Sequence, residues 1–273
     1  MADPIQIIRS RQALRKVRGG RDGLYPFLEN DTWDTVRWFD DFLGDEIRGS
    51  GAAPGAYEVV TGTDGDFLIL ANQENGIGEL RATASGNGLG NEYAGLSLPE
   101  LSFTAVRNPV IAVRFNIDTI STVKVEMGFT DVTTDAGAVN DKSANSFNAD
   151  NCAVWILDTN HDGTWDGYGR DNTAAMTRYS PDLVVSGDVT PEAGQFETLI
   201  VALREYDATE NIAAAKFIRL DTNGRLTHES PWQTGAVASN VALVPWLFVQ
   251  ERSSSDRGIR IDFIDVRARR TEL

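Results

Sequence analysis

Residues 158–167, which read DTNHDGTWDG, carry the side chains best suited to bind a metal ion. Oxygen-bearing side chains occupy positions one, three, five and nine of the spacing that calcium-binding loops use: Asp158, Asn160, Asp162 and Asp166. Position twelve of such a loop holds a bidentate acid, whereas this chain has Gly169 there. The segment therefore predicts either an incomplete calcium site or a polar β-hairpin turn, in which Asp, Asn and Gly only shape the backbone.

Aromatic side chains form the second group of candidates, because an exposed aromatic ring can stack on a sugar. Trp165 and Tyr168 lie beside the acidic segment and Trp232 lies in a predicted loop, so these three residues are the glycan-binding candidates. Trp155 and Trp246 lie inside apolar runs and are predicted to pack in the core. Core or interface packing is the alternative for all of them, since large aromatic rings supply much of a protein's buried area.

The chain lacks the residue patterns of common enzyme classes. It has two histidines, His161 and His228, no Gly-x-Ser-x-Gly segment and no Walker motif. Glycoside hydrolysis needs two carboxylates that face each other across a cleft, and the acidic pairs of this chain suggest no such arrangement. The sequence therefore predicts no catalytic residues, no enzyme activity and no cofactor other than the calcium ion considered above. The single cysteine, Cys152, excludes an internal disulfide.

Charge is distributed unevenly along the chain. Residues 1–22 hold six basic side chains and two acidic ones, a net charge of +4, and the six are Arg9, Arg11, Arg15, Lys16, Arg18 and Arg21. The other 251 residues hold 19 basic and 38 acidic side chains, a net charge of −19, so the whole chain carries −15. An acidic body repels nucleic acid. We expect the basic arm to contact an acidic protein surface, including another copy of this body; a solvated tail without a partner is the alternative.

Short β-prone runs separated by Gly, Asn and Asp clusters fill the chain from residue 57 onward. Val110–Ile117 and Val123–Phe129 alternate with period two, which is typical of antiparallel strands with one face in water; the second run carries a lysine and a glutamate on that face. Asn223-Gly224 predicts a hairpin turn, and a phase shift at Phe263-Ile264 predicts a β-bulge. The chain lacks a long helical pattern, so it predicts an all-β, antiparallel, two-sheet sandwich.

The predicted domain organisation is simple. Residues 1–30 form a basic amino-terminal arm and hinge, extended or folded as a short helix, and residues 31–273 form one β-sandwich domain. The chain has no run of eighteen apolar residues, so no membrane span is predicted.

Five segments of the sandwich resemble, by their pattern, the concanavalin A-like jelly-roll proteins found among the virion structural components of tailed bacteriophages. They are DDFLGD at 40–45, NPVIAVRF at 108–115, MGFTD at 127–131, VWILDTN at 154–160 and IDFIDVR at 261–267, and the resemblance spans about residues 35–270.

The resemblance implies a non-enzymatic structural component of the virion, most simply a head decoration or minor capsid protein. Its partners would be the major capsid protein or another virion protein, together with further copies of itself in a homotrimer. It would be made in the host cytoplasm and displayed on the phage head, where the basic arm would anchor it to neighbouring subunits. A carbohydrate-binding or receptor-binding, lectin-like domain of a tail or fibre, with the same fold, is the alternative.

Overall fold

The computed structural model describes residues 35–42, 57–63, 65–69, 77–83, 92–98, 102–133, 136–172, 174–180 and 190–269. The basic arm, with Arg9, Arg11, Arg15, Lys16, Arg18 and Arg21, lies outside the described residues. Within them the one helical element is a single turn of 3-10 helix, Ala105–Arg107. The described residues contain no helix that is long and apolar enough to cross a membrane.

Seventeen strands make up the described part of the chain. In order they are β1 (Thr35–Asp40), β2 (Glu58–Thr61), β3 (Gly65–Ile69), β4 (Gly78–Ala82), β5 (Tyr93–Ser97), β6 (Val110–Ile117), β7 (Val123–Thr130), β8 (Val139–Asp141), β9 (Ser146–Phe147), β10 (Asn151–Asp158), β11 (Trp165–Asp171), β12 (Glu197–Asp207), β13 (Ile212–Leu220), β14 (Leu226–Glu229), β15 (Gln233–Ala238), β16 (Val244–Glu251) and β17 (Arg257–Arg269).

The strands form two large antiparallel sheets and one small hairpin. The nine-stranded sheet has the order β14-β13-β12-β6-β17-β4-β3, with β1 on β17 and β15 on β13. The six-stranded sheet has the order β11-β10-β7-β16-β5-β2, and β8 pairs with β9 alone. The long strand β17 has β6 on one side, while β4 and β1 share its other side, one on each half. This arrangement confirms the all-β, two-sheet sandwich.

The core lies between the two large sheets and explains the alternation in the sequence. Ile111, Val113, Phe115 and Ile117 of β6 face the alternate residues Val123, Val125, Met127 and Phe129 of β7 in one buried cluster. Two tryptophan side chains link the sheets, because Trp155 Nε1 donates a hydrogen bond to Ile200 O at 3.2 Å and Trp165 Nε1 donates to Glu197 Oε1 at 3.0 Å. A buried indole N–H needs such an acceptor.

The structure also contains the turn and the bulge that the sequence predicts. A tight turn at residues 221–224 joins β13 to β14, with the Gly224 N–H donating to Asp221 O at 2.8 Å, which confirms the hairpin. The register between β17 and β6 shifts between Ile261 and Phe263, which confirms the bulge next to the predicted pair.

The expectation that one face of β7 is in water is wrong. The side chains of Lys124 and Glu126 are fully buried and form an ion pair of 2.9 Å between Nζ and Oε1. Residues 136–149, here called the covering segment, pack over this face of the six-stranded sheet. The covering segment includes β8 and β9 and contributes Ala138, Val139 and Ala149 to a buried cluster with outward residues of β10.

The ion pair also supplies hydrogen bonds to the backbone of the covering segment. Glu126 accepts from the N–H groups of Ala138, at 2.7 Å, and Val139, at 3.1 Å, and from Trp246 Nε1 at 3.2 Å. Lys124 Nζ donates to Ala136 O at 2.6 Å and to Val139 O. Burial lowers the pKa of Lys124, although the adjacent carboxylate raises it. Charged atoms inside a protein need this degree of pairing to offset their loss of hydration.

Replacing Lys124 with methionine is expected to destabilise the protein by about 3–5 kcal/mol, because it leaves the Glu126 charge buried without its partner. Urea unfolding at neutral pH measures this change. Arg81→Met is the matched control, since its ion pair with Asp256 is exposed and worth less than about 1 kcal/mol. Equal effects of the two substitutions would contradict the role assigned to the buried pair.

Candidate functional site

The segment predicted to bind calcium forms the turn between β10 and β11. Asp158 ends β10, and its carboxylate forms a two-point contact with Arg252, with Nε at 3.2 Å from Oδ1 and Nη2 at 2.5 Å from Oδ2. The exposed Asn160 donates its backbone N–H to Asp158 Oδ1 at 3.2 Å. The first two predicted ligands therefore serve an ion pair and a local turn.

The other two carboxylates of the segment surround a lysine. Lys142, whose side chain is fully buried, comes from the covering segment, and its Nζ contacts Asp162 Oδ1, Asp166 Oδ2 at 2.7 Å and Thr164 O at 2.7 Å. Arg178 Nη2 contacts the same two acids at 3.3 and 3.1 Å. Two cationic side chains thus neutralise the two carboxylates.

This donor set does not fit a calcium ion. A calcium site needs six to eight oxygen ligands around one point, and here the ammonium group of Lys142 lies between the two nearest acids. Among the described residues, no three His, Cys, Asp or Glu side chains come close enough to hold a metal ion. The segment folds as the polar hairpin turn of the alternative interpretation.

Two of the three aromatic candidates are not available to a sugar. Trp165 is fully buried in the core and meets Phe115 edge to face, with 6.0 Å between ring centroids. Tyr168 is buried under the covering segment, where its hydroxyl donates to Lys142 O at 2.9 Å. The expectation that these rings are exposed is wrong, because Trp165 packs in the core and the covering segment packs over Tyr168.

Trp232 is the aromatic candidate that stays partly accessible. The guanidinium carbon of Arg204 lies 4.2 Å from the centroid of its ring, and Lys216 Nζ lies 5.9 Å away. Trp232 packs against the apolar cluster on the outer face of the nine-stranded sheet. Cation–π contacts of this kind hold the ring in place and compete with a sugar for the ring face that they occupy.

A polar cavity of about 300 Å³ opens at one end of the nine-stranded sheet. It lies where β12 begins and β13 ends, between the turn at residues 192–195 and the hairpin turn at residues 221–224. All of its described lining residues are polar, and the side chains that matter most here are Glu192, Gln195, Glu197, Arg219, Asp221 and Asn223. Its volume and polar lining make this cavity a candidate ligand site.

A buried ion pair supports one wall of the cavity. Arg219 Nε donates to Glu197 Oε2 at 2.5 Å, and the core residue Trp165 donates to Glu197 Oε1. Burial raises the pKa of Glu197, although Arg219 and the indole N–H lower it. Both oxygens of this carboxylate are engaged, so it positions Arg219 and is not placed to transfer a proton to a ligand.

Another part of the lining depends on the hairpin turn. Asp221 Oδ1 accepts from the backbone N–H groups of Asn223, at 2.9 Å, and Arg225, at 2.8 Å, which fixes the turn. The side chains of Asn223 and Glu192 are exposed at the cavity mouth. A turn whose backbone is held in this way has less conformational freedom to lose when a ligand binds.

Sequence reasoning identified the hairpin turn but missed the cavity. Its walls come from residues 190–197 and 219–227, which are far apart in the chain and are brought together by the pairing of β12 with β13. Polar turn residues are common in any β-sandwich, so composition gives no signal for those that converge. Only the register of the two strands brings these two turns together.

Comparison with known proteins bears on the fold. No protein-family model matches the chain, and no curated protein sequence matches it. The solved structure of Lotus tetragonolobus seed lectin matches with a TM-score of 0.50 and 10% identity over 87% of this chain and 100% of the lectin. Arcelin-5, a lectin-like defense protein from Phaseolus vulgaris, matches with a TM-score of 0.51 and 11% identity over the same shares.

The fold is a concanavalin A-like jelly-roll sandwich. This confirms the predicted fold class, and at such low identity the similarity establishes the fold alone. Neither comparison tests the virion role that the sequence resemblance implies.

Asp162→Asn is expected to destabilise the protein most above about pH 4, with a smaller effect in acid. Burial raises the pKa of Asp162, but the hydrogen bonds from Lys142 and Thr164 lower it more, so the net shift is downward. A lowered carboxyl pKa adds stability above the unfolded-state value, and that stability is lost as the pH falls through the folded-state value. Urea unfolding from about pH 3 to pH 7 measures the difference. A pH-independent difference, or the same pH dependence in a Lys142→Met background, would contradict this assignment.

Proposed function

We propose that this protein is a non-enzymatic, lectin-like carbohydrate-binding domain, and that the polar cavity at residues 190–197 and 219–227 is its binding site. The observation that carries the proposal is the cavity itself, of about 300 Å³ and lined by polar side chains. The two solved structures reported above carry lectin or lectin-like in their names, which supports the proposal at the level of the fold.

The chemistry of the cavity suits a polyhydroxylated ligand. Each sugar hydroxyl both donates and accepts hydrogen bonds, and the lining offers carboxylate, amide and hydroxyl groups of both kinds. A net gain of about 0.5–1.5 kcal/mol per hydrogen bond gives roughly 4 kcal/mol for four of them. Association also costs the ligand translational and rotational freedom, so the dissociation constant for a single sugar unit is expected to be about 1 mM or weaker.

The arrangement of the carboxylates supports binding without catalysis. A glycosidase needs one carboxyl group free to give a proton and a second facing it across the scissile bond. Glu197, the buried acid of the cavity, has one oxygen on Arg219 and the other on Trp165. Asp221 holds the hairpin turn through two backbone N–H groups.

Saturation-transfer NMR with a panel of neutral monosaccharides tests the proposal. We expect at least one sugar to bind, and Gln195→Ala and Asn223→Ala each to weaken it about fivefold, because each removes a hydrogen bond of about 1 kcal/mol. Asn140→Ala is the matched control, since Asn140 is exposed and lies outside the cavity lining. Calcium chelation should leave binding unchanged.

Two outcomes would contradict the proposed site. If none of the sugars binds, the carbohydrate function is wrong. If Trp232→Phe abolishes binding while Gln195→Ala and Asn223→Ala do not, sugars bind at the outer face of the nine-stranded sheet instead.

The second candidate function is the structural one that the sequence resemblance implies. In it the protein is a component of a tailed-phage virion, displayed on the head and anchored by its basic arm to the major capsid protein, another virion protein or a further copy of itself in a homotrimer. The observation that favours it is the contrast between the +4 charge of residues 1–22 and the −19 charge of the other 251. Such a contrast suits attachment of the arm to an acidic neighbour.

Removal of residues 1–22 tests the structural candidate. We expect the full chain to incorporate into particles and the shortened chain to stay free, because the arm supplies the electrostatic contact. Particle sedimentation followed by immunoblotting measures incorporation, with a full-length chain carrying the six basic residues changed to glutamine as the control for length. Equal incorporation of all three proteins would exclude the arm as the anchor.

A further inference from the structure

We propose that the polar cavity prefers sugars that carry a protonated amine, such as glucosamine, over neutral sugars; this inference rests on the proposed function. It concerns the ligand class that the cavity selects, and it follows from the balance of charges among the lining side chains.

The one cationic side chain among the described lining residues is already paired. Arg219 Nε lies 2.5 Å from Glu197 Oε2, and both side chains are largely buried, with exposed fractions of 11% and 7%. A guanidinium in this contact has its charge balanced by the carboxylate beside it. The pair as a whole therefore adds no net charge to the cavity.

Two further carboxylates remain after this pairing. Glu192 is exposed at the turn before β12, and Asp221 lines the same cavity from the hairpin turn. Asp221 uses Oδ1 for the two backbone N–H groups of its turn, so Oδ2 is the oxygen assigned to the ligand amine. The described lining residues thus carry a net charge of about −2, which favours a cationic ligand.

The same balance disfavours acidic sugars. A uronic or sialic acid would bring a third negative charge next to Glu192 and Asp221, and its natural partner, Arg219, is held by Glu197. Like charges in contact are unfavourable, and a neutral sugar avoids that cost without gaining an ionic contact. The expected order of affinity is therefore amino sugar, then neutral sugar, then acidic sugar. The net charge of −15 on the chain steers ligands in the same sense.

An NMR titration of the full chain tests the inference. The four ligands are glucosamine, glucose, N-acetylglucosamine and glucuronic acid, and the pH is about 6, where a simple amine is protonated. We expect glucosamine to bind about tenfold more tightly than glucose, as a charge-assisted hydrogen bond predicts. N-acetylglucosamine should lose that advantage, because acetylation removes the charge. Raising the salt concentration should bring the affinities for glucosamine and glucose closer together, because salt screens the charge interaction.

Variants that neutralise single carboxylates identify the residues that cause the preference for glucosamine. Glu192→Gln and Asp221→Asn should each reduce the ratio of glucosamine affinity to glucose affinity to about threefold or less. Glu210→Gln, which makes the same change at an exposed turn outside the lining, is the matched control.

The outcomes separate this inference from the function on which it rests. If glucose binds as tightly as glucosamine, or if the preference survives in both variants, the inference is wrong and the carbohydrate site stands. If no sugar binds while a synthetic peptide of residues 5–22 does, the acidic cavity receives a basic peptide and both proposals fail.

Discussion

The buried ion pair between Lys124 and Glu126 makes the outer side of the six-stranded sheet an interior instead of a surface. Its atoms bind the backbone of the covering segment, residues 136–149, at four points, and a second buried cation in that segment, Lys142, reaches the hairpin turn between β10 and β11. The sandwich therefore has a third layer on one side. Removing one of the two charges would leave the other buried without water or an ionic partner, which is strongly unfavourable. The ion pair therefore stabilises the layer together with the apolar contacts.

This third layer decides which of the candidate residues can meet a ligand. Tyr168 lies under it, and the acids Asp162 and Asp166 are neutralised by a lysine that belongs to it. Side chains that look like ligands along the chain thus become parts of the protein's own packing. Trp165, on the inward side of β11, contributes indirectly, because its indole N–H holds Glu197 in the wall of the polar cavity.

The polar cavity lies at the end of the nine-stranded sheet. One part of its lining is the ion pair between Glu197 and Arg219. Another part is the hairpin turn, whose backbone is fixed by hydrogen bonds to Asp221. Glu197 and Asp221 therefore both have structural roles, and Glu192 is the third carboxylate of the described lining. A binding function is common to the lectin and the virion proposals, which differ in what is bound: a sugar in the cavity or a neighbouring subunit through the arm.

The sequence by itself determined the strands at Val110–Ile117 and Val123–Phe129, the hairpin at Asn223-Gly224 and the bulge near Phe263, because alternation and turn chemistry are local properties of consecutive residues. It also determined the two-sheet class, which the concanavalin A-like neighbours confirm. Only the tertiary structure decided that the Lys124 face is covered and that two separated turns enclose one cavity. Burial and convergence depend on contacts between residues far apart in the chain, and a period-two pattern reads the same whether its polar side meets water or a buried partner of opposite charge.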